Sequence, residues 1–198
     1  MMHLMKDNHL LLFPTFVWVT EELLSERENN KIAEHILSVK DNVSGEGELR
    51  WHSRHKSPKN SFNKNYSHPV FTNLLGLIDD KAKQYAKSIK FQEWRISSRN
   101  WWWNVYDEGN YQEFHGHLPF YFSGVYFCKA PEKSSPLIFK HPNFNYHVHA
   151  YEQNEYNSDS KAIQPVERSL IIFPSNLIHC VPPGTNKDPR ITISFNYG

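Results

Sequence analysis

At 198 residues, 39% of them apolar and 15% aromatic, the chain has enough material for one domain with its own core and needs no disulfide staple. A net charge of +1 provides no field to gather nucleic acid or an acidic membrane surface, which excludes functions that rest on bulk charge. Cys128 and Cys180 are the only cysteines, as expected of buried thiols in a reducing compartment. The apolar run at Leu10–Phe13, cut by Pro14, is too short for a membrane span and has no small-residue cleavage site, so the expected location is cytoplasmic.

Taken in order, Leu10 to Val19 mixes β-branched and aromatic residues around Pro14 and predicts an outer strand at a sheet edge. Thr20-Glu-Glu22 predicts a helix start, with Leu23, Leu24, Ile32, Ile36 and Leu37 as an apolar face up to Lys40. Residues 41–69 turn polar, with Arg50, Arg54, Lys56, Lys59 and Lys64 set among Ser and Asn, and two readings stay open for them: a solvated loop, or a lid over a site. Phe71 to Ile89 carries a helical period.

Trp94 to Tyr106 predicts a strand on which Trp102, Asn104 and Tyr106 share one face. Short strands follow at Ser123–Cys128, Leu137–Lys140, Ser169–Phe173 and Arg190–Phe195, separated by turn residues, whereas Pro142 to Gln164 reads as polar and irregular. Two helices and then many short strands predict a mainly β fold with supporting α, a helix-flanked double-stranded β-helix or jelly roll of the cupin-like kind. A single domain over 1–198 is expected, with 1–92 supplying a strand, helices and a loop, and 93–198 forming the core that carries the site.

The chemistry concentrates in Asn104 to His117. His115 and His117 are two residues apart, and strand alternation predicts both imidazoles on one side. A third histidine from a later strand, His179, completes a set of three nitrogens, which leaves open positions on a metal, the arrangement of a catalytic site. Arg190 heads the last strand and suits a bidentate grip on a carboxylate, with Thr192 and Ser194 on its strand face. His147 and His149 have the same spacing but stand in an Asn- and Tyr-rich stretch with no strand frame.

In this order, His-x-His, Ser-Gly-Val-Tyr, Leu-Ile-Ile-Phe-Pro-Ser, His-Cys-Val and Arg-Ile-Thr-Ile-Ser-Phe-Asn, with eleven residues from His179 to Arg190, the sequence resembles the iron(II)- and 2-oxoglutarate-dependent oxygenases, and within them a group related to prolyl hydroxylases. The resemblance implies Fe(II) held by His115, His117 and His179, 2-oxoglutarate anchored by Arg190 with Thr192, and O2 as co-substrate. Asn104 and Tyr126 are further candidates for the co-substrate pocket. The implied reaction is hydroxylation of a peptidyl residue, prolyl-like, or of a small metabolite, releasing succinate and carbon dioxide.

Position 117 departs from the pattern, because the superfamily usually carries a carboxylate there. Glu113, on the same strand face, is the alternative source of a carboxylate. Arg168 stands where a glycine turn is expected, and Asn176 where a bulky aromatic is usual. Two other functions remain open: a three-histidine dioxygenase that needs no 2-oxoglutarate, and a non-catalytic jelly-roll binding module.

Overall fold

The computed structural model describes residues 14–43, 58–62, 66–142, 152, 154 and 157–198. Its strands are β1 (Trp18–Thr20), β2 (Lys59–Asn60), β3 (Ser98–Tyr106), β4 (Gln112–His115), β5 (Phe122–Lys129), β6 (Leu137–Lys140), β7 (Ser160–Ile163), β8 (Leu170–Pro174), β9 (His179–Val181) and β10 (Arg190–Tyr197). Two long helices, α1 (Glu26–Val43) and α2 (Thr72–Ser88), precede most of them. The strands form two antiparallel sheets, a major one in the order β1-β8-β5-β10-β3-β2 and a minor one in the order β4-β9-β6-β7.

Strand alternation divides the interior in two. On β10, Ile191, Ile193, Phe195 and Tyr197 join Ile32, Ile36, Leu74, Ile78 and Tyr85 in the core between the major sheet and the helices. Burying one such aliphatic or aromatic side chain contributes roughly 1.5–3 kcal/mol. The alternate residues of β10, Arg190, Thr192, Ser194 and Asn196, are buried on the opposite face. There Tyr106, Val125, Phe127, Leu137, Phe139, Phe173 and Val181, drawn from both sheets, form a second, smaller core. Two sheets face to face, with helices outside one of them, make the expected jelly roll.

Several boundaries differ from expectation. Helix α1 does not start at Thr20, which is spent on β1 opposite Leu170. It starts at Ser25, whose hydroxyl accepts the Glu28 N–H at 3.3 Å and donates to the Glu28 carboxylate at 2.6 Å, a capping box contributing about 1 kcal/mol. The stretch 142–164, expected to be irregular, holds β7, which pairs with β6 although its own side chains are mostly exposed. The outer strand is confined to Trp18–Thr20 among the described residues, and it does lie at the edge. Trp94 lies in a single turn of 3-10 helix, Glu93–Arg95, so β3 begins only at Ser98.

Arg168 adopts φ 65°, the left-handed conformation for which glycine was expected. Its guanidinium pairs with Glu22 at 3.0 Å and donates to the Leu24 carbonyl at 3.3 Å. Those contacts hold a conformation that an L-residue otherwise disfavours. Both cysteines are buried and unpaired, as expected. No helix among the described residues is long and apolar enough to cross a membrane.

Candidate metal centre

His115 is the last residue of β4 and His179 the first of β9, and the two are direct cross-strand partners. Direct partners share a face, so both rings enter the space between the sheets. The Nδ1 of His115 lies 2.7 Å from the Glu113 carbonyl, and that of His179 lies 2.8 Å from the Leu177 carbonyl. A carbonyl can only accept, so each Nδ1 carries the hydrogen and each Nε2 is left with its lone pair turned inward. Outer hydrogen bonds of this kind orient metal-binding imidazoles.

His117 arrives differently. It lies beyond the end of β4, so strand alternation, on which its placement was first argued, does not position it. Its N–H donates to the Ser175 carbonyl at 2.7 Å, and its own carbonyl accepts the Phe120 N–H at 3.0 Å. Gly116 permits the approach: a Cβ there would stand 3.3 Å from the Ser175 oxygen and 3.2 Å from Ile178 Cδ1. The result places His117 Nε2 3.3 Å from His179 Nε2, with ligand atoms of all three histidines within 4.8 Å of one another. Among the described residues no other group of His, Cys, Asp or Glu converges in this way.

Burial keeps these rings neutral. It pushes His117 down to about 4 and His179 down to about 3, each lowered further by the charge of His115, and it lowers His115 as well. Three neutral imidazoles thus converge at physiological pH. Phe139 and Phe173 stand beside His179 at ring separations of 5.9 and 4.8 Å, and Trp102 stands 5.9 Å from His117, so the site is walled by apolar rings.

Arg190 lies in the same cleft and is 1% exposed. Its guanidinium carbon stacks 4.5 Å over the Tyr106 ring and 5.4 Å from that of Phe127, while Nε and Nη1 have no partner. No carboxylate pairs with it among the described residues, and the neighbouring Asp188 offers only a backbone carbonyl, to Asn186. Burying a guanidinium with no carboxylate beside it and two nitrogens unsatisfied is costly, and those unused N–H groups in a planar fork match a carboxylate. The site therefore fits both expected ligands: the histidines suit a divalent transition metal, and the half-satisfied guanidinium suits an anionic co-substrate.

The remaining expected residues divide. Thr192 is buried on the Arg190 face, and Asn104 donates to Thr192 Oγ1 at 3.3 Å and to Ser194 Oγ at 3.2 Å, leaving its buried Oδ1 unpartnered. Tyr126 is not in the site. It is on the helix face of β5, where its hydroxyl donates to Asn29 Oδ1 at 2.7 Å inside the larger core. Its even-numbered neighbours Phe122 and Cys128 face the same way, so alternation along β5 carried the signal. Glu113 contributes its carbonyl to His115, and its carboxylate is not among the converging ligands. His147 and His149, and most of the suspected lid, lie outside the described residues.

Gln112 and Trp102 line the cleft and had not been singled out for it; Gln112 accepts from the Tyr106 hydroxyl at 2.6 Å. The i, i+3 relation of Gln112 to His115 on one short strand gave no signal, because β4 shifts register between them.

Residues 100–196 match the model of a family described as "Putative 2OG-Fe(II) oxygenase". No curated protein sequence matches the chain. Among solved structures it is similar to a Pseudomonas putida prolyl-4-hydroxylase at 10% identity and TM-score 0.67, with 92% of each chain covered. A prolyl hydroxylase from Trichoplax adhaerens, in complex with a hypoxia-inducible factor oxygen degradation domain peptide fragment, is similar at 15% identity and TM-score 0.67, covering 91% of this chain and 82% of that one. The α-ketoglutarate-dependent epimerase SnoN of nogalamycin biosynthesis is similar at 10% identity and TM-score 0.67, covering 92% and 78%. These likenesses share the jelly roll, and the segment that matches the family model, just under half of the chain, holds all three histidines and Arg190.

Proposed function

We propose that the protein is an iron(II)- and 2-oxoglutarate-dependent dioxygenase that hydroxylates a peptidyl residue, prolyl-like, or a small metabolite. The observation that carries this reading is the juxtaposition of three converging imidazoles, two of them with the Nε2 lone pair turned inward, with a buried guanidinium whose Nε and Nη1 are unpaired.

His115, His117 and His179 would hold Fe(II), and Arg190 with Thr192 would hold the far carboxylate of 2-oxoglutarate. Together the bound groups supply the oxidising chemistry, in which O2 is consumed, 2-oxoglutarate becomes succinate and carbon dioxide, and one oxygen atom goes to the substrate. The protein's own part is binding and orientation. The Glu113 and Leu177 carbonyls keep a proton on Nδ1 of His115 and His179, so neither ring can turn its lone pair away. Tyr106 and Phe127 flatten the Arg190 fork, and Asn104 ties the hydroxyls of Thr192 and Ser194 beside it. Phe139, Phe173 and Trp102 keep water from the metal's surroundings.

A peptide substrate is suggested by the likeness to prolyl hydroxylases, one of them solved with a peptide. The three-histidine set equally suits a dioxygenase that needs no 2-oxoglutarate, but such an enzyme would leave Arg190 without a use. The test is succinate release from 2-oxoglutarate with Fe(II) and O2, followed by mass spectrometry of proline-containing peptides and of metabolite mixtures for a gain of one oxygen. Succinate that disappears in Arg190→Ala is expected. Oxygen consumption without succinate would overturn the 2-oxoglutarate reading.

A further inference from the structure

The face of β10 that carries Arg190 and Thr192 continues to Asn196, and there a buried chain of hydrogen bonds leads back to the metal centre. The Asn196 amide donates to Asn100 Oδ1 at 2.8 Å, which leaves Asn196 Oδ1 as an acceptor for the Ser123 hydroxyl at 2.7 Å. Ser123 has one proton and spends it there, so in its 2.7 Å contact with Ser175 the Ser175 hydroxyl is the donor. Ser123, Ser175 and Asn196 are each 1% exposed or less. The chain crosses β3, β10 and β5 in register, since Asn196 is the direct partner of both Asn100 and Ser123, and it ends in the turn between β8 and β9.

Ser175 is also the residue whose carbonyl receives the His117 N–H. Its peptide has two restraints of its own: its N–H donates to the Tyr121 carbonyl at 3.1 Å, and its hydroxyl ends the chain. His117, off the strand, depends on that carbonyl as His115 and His179 depend on their ladder.

We propose that Ser175 is a positioning residue for His117, held by the relay Ser175–Ser123–Asn196–Asn100, so that the polar face of β10 fixes the co-substrate anchor at one end and the loop-borne metal ligand at the other. The metal arm of this proposal rests on the reading of the three histidines as an iron site; the placement of His117 does not. A buried donor–acceptor chain of this length is costly unless complete, and here every member is paired. It therefore specifies one position of the turn. Neither serine reaches the metal, and their effect passes through the His117 backbone.

The test uses full-length protein and two variants that break the relay at different links, Ser175→Ala and Ser123→Ala, with Ser61→Ala as a matched loss of a buried serine hydroxyl. Ser61 accepts the Trp103 N–H at 3.1 Å and does not touch the relay. The first readout is amide hydrogen exchange of metal-free protein. The His117 amide is expected to exchange at least about tenfold faster in both relay variants, with β9 amides and Ser61→Ala unchanged. The second is anaerobic Fe(II) affinity, expected to fall about 10- to 100-fold in the relay variants, the range for loss of an outer partner of a ligand, and to stay at the wild-type value in Ser61→Ala. Wild-type exchange of the His117 amide in both relay variants would overturn the proposal, as would equal loss of Fe(II) affinity in Ser61→Ala. A wild-type protein that fails to bind Fe(II) would overturn the iron reading instead, leaving the exchange result to decide the positioning role.

Discussion

His115 and His179 differ from His117 in what holds them, and the difference bears on which of the three positions could accept another side chain. The first two are cross-strand partners whose rings are each locked by a backbone carbonyl two residues earlier in the chain. The third follows the strand end, is placed through Gly116 and the Ser175 carbonyl, and meets His179 Nε2 at 3.3 Å. A ligand position built on a ladder cannot move without breaking the sheet. One built on a loop can accept a side chain of another length, and the loop position is the one at which the resemblance led a carboxylate to be expected.

The sharpest way to break this comparison is to remove ligands one at a time. His179→Ala should lower Fe(II) affinity by more than about 100-fold, beyond the 10- to 100-fold that loss of an outer partner costs, whereas His117→Asp should retain or strengthen binding, because a carboxylate adds the missing negative charge. Calorimetry under anaerobic conditions reads both. Equal loss in the two variants would show that the loop position is as rigid as the ladder. Next in size, Arg190→Ala should weaken 2-oxoglutarate by about 2–5 kcal/mol, the usual cost of truncating one partner of a buried charge pair, which is roughly 30-fold or more in Kd. Arg190→Lys should recover only part of that, since an ammonium keeps the charge and loses the fork.

A smaller effect separates the helix side from the site side. A Cβ on Gly124 would stand 2.6 Å from the Ile171 carbonyl and 2.2 Å from the Phe195 ring. Gly124→Ala should therefore cost about 1–3 kcal/mol of stability by overpacking, visible as a lower Tm, with less effect on the histidines than on the helix core.

The mildest prediction concerns pH. Burial holds His117 near 4 and His179 near 3, below their ordinary value, so between those values and about 6.5 the unfolded chain binds more protons than the folded one. Stability of the metal-free protein should thus be full above pH 6.5 and fall as the pH drops toward 4, and replacing His117 and His179 together should flatten that slope. A Tm independent of pH over this window in the wild-type protein would contradict the burial argument.

Much of this was legible in the sequence because it follows from period and residue type. The alternation of Arg190, Thr192 and Ser194 against Ile191, Ile193 and Phe195 is visible directly, and it placed the anchor inward and the hydrophobes on the helices. The second helix was readable for the same reason, and so was the inward face of His115. What failed depended on partners far away in sequence. Tyr126 reads as a pocket tyrosine until Asn29 on α1 claims its hydroxyl. Strand β7, Ser-Lys-Ala-Ile with only Ile163 half-buried, has no pattern of its own and pairs along the edge of β6. The start of α1 was misplaced although Ser25-Glu-Arg-Glu28 carries the capping pattern, because Thr20-Glu-Glu competed with it and β1 took Thr20. His117 was assigned its role for a reason that does not hold: it meets the other rings by way of a loop tied to Ser175.

The central claim is that three histidines and Arg190 form one centre that takes Fe(II) and 2-oxoglutarate together. It is tested most directly by the visible absorption of the protein, free of oxygen, on adding Fe(II) and then 2-oxoglutarate. A metal-to-ligand charge-transfer band that appears only when both are present, and that is lost in Arg190→Ala and in His179→Ala, is the expected result. Iron binding without such a band would contradict the claim and leave a three-histidine site that works without 2-oxoglutarate.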